Sequence, residues 1–108
     1  MEETLKKIKE TILNVSKLQN VKINKVILFG SRARGDYRED SDWDILIVTE
    51  DKLDKKTWED FSYNVSLALI DLLDSPVDVL IIDKEDYEDK KKYKGFVYYW
   101  ATVEGKEI

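Results

Sequence analysis

Gly30-Ser31-Arg32-Ala33-Arg34-Gly35-Asp36-Tyr37-Arg38-Glu39-Asp40-Ser41-Asp42-Trp43-Asp44 decides how this chain is read. The stretch leaves one apolar run, Val26 to Phe29, and enters another, Ile45 to Val48. Short continuous apolar runs of this kind, bounded by turn residues, read as strands buried on both faces. Between them lie a Gly-Ser turn, an Asp-x-Asp pair and every arginine of the chain, namely Arg32, Arg34 and Arg38. All other cationic side chains are lysine. Arginine presents a fixed planar fork that matches phosphate oxygens, whereas lysine is a mobile point charge. Gathering the arginines beside a glycine turn and two acids therefore points to a triphosphate site containing a metal.

Asp42 and Asp44 stand two residues apart where the second strand begins, so their side chains project from the same face and Trp43 from the other. Two neighbouring carboxylates raise each other's proton affinity unless a cation lies between them, and a divalent ion removes that conflict. Asp78 opens a later apolar run, Val79 to Ile82. If the second and third strands are neighbours, Asp78 completes a set of three acids able to hold one or two Mg²⁺ ions. Two ions would activate an attacking oxygen and neutralise a leaving group in phosphoryl displacement. Gly30 lets backbone approach a ligand closely, and successive N–H groups with the Ser31 hydroxyl can cradle phosphate. Arg32 or Arg34 would clamp the outer phosphates. Each part alone is ordinary, since Ser-Asp-x-Asp is common turn chemistry. Their ordered combination is what carries the reading.

Composition narrows the chemistry further. The chain has 108 residues, enough for a single domain spanning 1–108. It has no cysteine and no histidine, which removes thiol nucleophiles, sulfur-ligated zinc and the usual general base. Acid–base and metal chemistry must fall to carboxylates, and these favour Mg²⁺ or Mn²⁺. A net charge of −5 argues against broad binding to nucleic-acid backbone. Apolar runs are too short for a membrane span, and a cytoplasmic location is expected.

Outside the central stretch, Leu5, Ile8, Ile12, Val15 and Leu18 recur at helical spacing and predict a helix over Glu2 to Gln19. Lys25 to Gly30, Ile45 to Thr49 and Val79 to Ile82 read as strands. Trp58, Phe61, Val65, Leu69 and Leu72 mark a long helix, with Asp51 or Asp54 as its cap. Phe96, Tyr99, Trp100 and Val103 mark a last helix that Gly105 would end. Lys84 to Lys94 fits a short helix or a loop. The order α-β-β-α-β-α predicts an α/β fold, a small mixed sheet with helices packed against it.

Taken together, Gly30-Ser31, ten residues, Asp42-Trp43-Asp44 and a downstream Asp78 resemble the minimal nucleotidyltransferase (MNT) family of the DNA polymerase β-like superfamily. The resemblance extends over essentially the whole chain and implies a polymerase β palm-like fold. It further implies ATP in the cleft, Mg²⁺ on Asp42 and Asp44, Asp78 as the third acid, and the triphosphate on Gly30 and Ser31. Members of this size often act as antitoxins beside a HEPN-domain toxin, and in characterised pairs the MNT protein transfers AMP from ATP to a toxin tyrosine. The 108 residues are expected to leave no room for a separate acceptor-binding domain, so the expected acceptor brings its own surface, as a partner protein or as the second copy of a homodimer. The alternatives are an antitoxin that sequesters its partner without catalysis and an enzyme that modifies a small molecule.

Overall fold

The computed structural model describes residues 1–108. Helix α1 covers Glu2–Leu18 and carries Leu5, Ile8 and Ile12 on its buried face, the stripe its spacing predicts. Strand β1 (Ile23–Phe29) and strand β2 (Trp43–Thr49) follow, separated by the one-turn helix α2 (Ser31–Arg34). Helix α3 (Lys55–Leu73) leads to strand β3 (Val77–Asp83), helix α4 (Lys84–Lys90), helix α5 (Val97–Glu104) and the two-residue strand β4 (Lys106–Glu107). The six expected elements are all present. Two were not expected, α2 and β4, and the charged segment after β3 is helical at its start.

The four strands are ordered β3-β2-β1-β4. Strand β1 is antiparallel to β2 and to β4, while β2 and β3 are parallel, so the sheet is mixed as expected. A parallel pair needs a crossover, and α3 provides it. Because β2 lies inside the sheet with helices on both faces, it is apolar without alternation from Ile45 to Val48. One face packs against α1 and α3, with Val26, Leu28, Ile45 and Ile47 meeting Ile8, Ile12, Phe61 and Val65. The other face is thinner: Ile27, Leu46, Val48 and Ile82 meet Tyr87 of α4 and Ala101 of α5.

Local chemistry fixes the ends of these elements. The Asp54 carboxylate accepts a hydrogen bond from the Thr57 N–H at 2.7 Å and caps α3, which decides between the two acids the sequence offered. Gly105 follows the last residue of α5 as expected, yet its φ of −82° is not the left-handed cap conformation. Space is the reason for glycine there. A Cβ would overlap the Ala101 carbonyl oxygen and lie 2.6 Å from Ile27 Cγ2. Glycine lets the chain turn from α5 directly onto the edge of β1. No helix is long and apolar enough to cross a membrane.

Candidate active site

The parallel pairing of β2 with β3 sets Asp44 directly opposite Asp78. Within each strand the alternation of faces then places Asp44 with Leu46 and Val48, and Asp78 with Leu80 and Ile82, on the α4–α5 side of the sheet. On the far side of Asp44, the antiparallel register pairs it with Phe29, the residue before Gly30. The two halves of the motif therefore meet around one side chain. Asp42 lies one residue before β2 and is exposed, as is Asp78, while Asp44 is half-buried.

The electrostatics of Asp44 report this convergence. Its proton affinity is raised above the ordinary carboxylate range, first by burial, then by the charge of Asp78, then by that of Asp42, with Arg34 opposing. Asp78 and Asp42 thus both act on Asp44, which is the condition a divalent cation relieves. Their oxygens are not drawn into a ready-made cage, so the cluster is open. The all-oxygen donor set suits a hard cation.

Gly30 is held against this cluster. Its φ of 73° and ψ of −159° belong to a region that only glycine occupies readily, and a Cβ there would overlap Asp44 Oδ2. Glycine is required both for the turn and for the approach of the Asp44 carboxylate. The Gly30 carbonyl accepts from the Ala33 and Arg34 N–H groups, each at 3.1 Å, and this closes the turn of α2. Ser31, half-buried, begins that turn.

The arginines differ from one another. Arg34 pairs with Asp36 and with Glu104 of α5, each at 3.4 Å, and its side chain is 43% exposed. Exposed pairs of this kind contribute little, so its guanidinium can exchange partners. Arg32 is engaged inside the loop: it donates to the carbonyls of Glu39 and Ser41 and packs on the rings of Tyr37 and Trp43. Arg38 contributes its backbone N–H to Ser41 Oγ at 2.8 Å, tightening the turn before Asp42. Sequence reasoning missed Tyr37, Trp43 and Glu104 as partners of the arginines. The confinement of all three arginines to one segment was the available signal, but a contact across 70 residues leaves no trace in spacing.

Two surface pockets lie elsewhere. One, of about 350 Å³, is bounded by α1 and β4, and the other, of about 220 Å³, lies at the opposite ends of β2 and β3 beside Trp58 and Tyr98. Neither pocket is lined by Asp42, Asp44 or Asp78.

A mixed sheet that brings a glycine–serine turn onto paired strand acids defines a nucleotidyltransferase. The chain belongs to the polymerase β nucleotidyltransferase family, whose sequence profile matches residues 6–94. A relative from Methanocaldococcus jannaschii, named as a candidate protein adenylyltransferase, is 40% identical over 87 residues, covering 80% of this chain and 79% of its own. A solved structure described as a candidate minimal nucleotidyltransferase superposes with a TM-score of 0.61 at 26% identity, covering 98% of this chain and 94% of that one. A chain from the complex of a tri-AMPylated Shewanella oneidensis HEPN toxin with its MNT antitoxin shares the fold, with a TM-score of 0.56 at 20% identity, covering 94% of this chain and 69% of that one.

Proposed function

We propose that this nucleotidyltransferase moves AMP from ATP to a tyrosine hydroxyl of a partner protein, that it needs Mg²⁺, and that the modification neutralises a HEPN-domain toxin. The observation that carries the reading is the register of Asp44 with Asp78 beside Gly30. It puts two acids of neighbouring strands and the glycine of the Gly30–Ser31 turn around one carboxylate. The adenylyltransferase name of the archaeal relative and the AMPylated toxin in the Shewanella complex support the acceptor class.

In this reading Asp42 and Asp44 hold the metal, and Asp78, opposite them, completes the acidic face. The Gly30–Ser31 turn receives the triphosphate through backbone N–H groups and the Ser31 hydroxyl. Arg34, exposed beside the cluster, turns from Asp36 and Glu104 to the outer phosphates. When bound, Mg²⁺ supplies charge neutralisation at the reacting phosphate and at the leaving pyrophosphate. The acceptor oxygen bonds to the α-phosphorus as the bond to pyrophosphate breaks. Asp78, solvent-exposed at the rim, takes the hydroxyl proton.

The test is to incubate the protein with labelled ATP, Mg²⁺ and a HEPN-domain protein encoded beside it. Label should appear on the partner's tyrosine and fall to background with Asp42→Ala or Asp44→Ala. An unlabelled partner, under conditions where an active relative labels its own, would refute the reading.

A further inference from the structure

Arg32 is placed to hold the loop that delivers Asp42, and its donors are committed there. Its Nη2 donates to the Glu39 carbonyl at 3.1 Å and to the Ser41 carbonyl at 3.0 Å. An Nη2 group has two hydrogens, so both are spent. Its Nε is buried and has no partner. A guanidinium meets phosphate bidentately along one of two edges, Nε with Nη2 or Nη1 with Nη2. Both edges need Nη2. Arg32 therefore cannot offer a phosphate its planar fork without releasing the loop carbonyls.

The ring contacts have the same direction. The guanidinium carbon lies 4.4 Å from the centroid of the Trp43 ring and 4.6 Å from that of Tyr37. Trp43 is itself fixed, because its ring is in the core and its backbone N–H donates to the Pro76 carbonyl at 3.1 Å. Asp42 thus sits between Ser41, whose carbonyl Arg32 holds, and Trp43, on whose ring Arg32 packs. The residue on each side of Asp42 is tied to one cation.

The geometry points to Arg32 as a positioning residue that fixes the backbone of Asp42, with phosphate recognition left to Arg34 and the Gly30–Ser31 turn. This assignment rests on the reading above that Asp42 is a metal ligand. Lysine cannot replace Arg32, since an ammonium has neither the paired donors nor the flat face that stacks on two rings.

Two variants test it, Arg32→Lys, which keeps the charge, and Tyr37→Ala, which removes one stacking surface and leaves the arginine. Thermal melts and circular dichroism establish that each is folded. Amide hydrogen exchange over residues 36–43 is then measured on the protein alone, together with Mn²⁺ affinity and the kcat and KM of AMP transfer. We expect both variants to exchange faster over that segment, and to lose about tenfold or more in Mn²⁺ affinity and kcat, with KM for ATP little changed. A rise in KM for ATP in Arg32→Lys, with loop exchange at the wild-type rate and Tyr37→Ala unaffected, would overturn the assignment and make Arg32 a phosphate ligand. If the wild type binds no ATP, the proposed function fails. The exchange and Mn²⁺ measurements still decide whether Arg32 orders the loop.

Discussion

At Gly30, one missing methyl group separates a working carboxylate arrangement from an obstructed one. Gly30→Ala would force a side chain into a backbone region costing about 1–3 kcal/mol and push the Asp44 carboxylate aside. We expect a lower melting temperature and loss of AMP transfer, measured by calorimetry and by label on the acceptor. Asp44→Asn should separate the two quantities. Burial and the charges of Asp78 and Asp42 make ionised Asp44 unfavourable in the folded protein. Removing its charge should therefore raise the melting temperature of the metal-free protein while abolishing transfer, the exchange of stability for function common at active sites. The sequence singled out Gly30 through its neighbour Ser31 and the spacing to Asp42. It could not show that Gly30 is glycine because of Asp44, since that contact exists only once β1 and β2 pair.

Among the elements, the ones legible in the sequence were those long enough to show a period or an uninterrupted apolar run: α1, β1, β2, α3, β3 and α5. Helix α2 has four residues and β4 has two, too few for either signal. Strand β4 exists only through its pairing with Ile27 and Leu28. Strands β2 and β3 also begin two residues earlier than their apolar runs, because Trp43 and Val77 pair in register ahead of the acids. Gly105→Ala should loosen the seam between α5, β1 and β4 by about 1–3 kcal/mol, the range for forcing volume into a packed site, as read by chemical denaturation. Asp54→Ala should lower the melting temperature by uncapping α3. The Thr57 N–H stabilises the Asp54 carboxylate and lowers its pKa from the ordinary 3.8. Its contribution is complete above that value and lost as pH falls through the lower folded one. The difference in melting temperature between wild type and variant should therefore shrink in strong acid.

For the molecule as a whole, strand order decides what the motif can do. Placing β3 beside β2 in parallel brings residues 44 and 78 together, and no spacing in the sequence could establish that adjacency. The carboxylates were legible as candidates from their residue types and places at strand starts. Their convergence was legible only as a condition on the topology. An acidic chain presenting three clustered carboxylates should repel a polyphosphate, so ATP affinity should be weak without a divalent ion and rise steeply with it, as calorimetry at fixed ionic strength would record. The direct measurement is anomalous diffraction from crystals soaked with Mn²⁺ and a non-hydrolysable ATP analogue. We expect Mn²⁺ bound to oxygens of both Asp42 and Asp44, with Asp78 on the same side of the sheet and the triphosphate against Gly30 and Ser31. Nucleotide bound away from the Gly30–Ser31 turn, or Mn²⁺ bound away from Asp42 and Asp44, would contradict it.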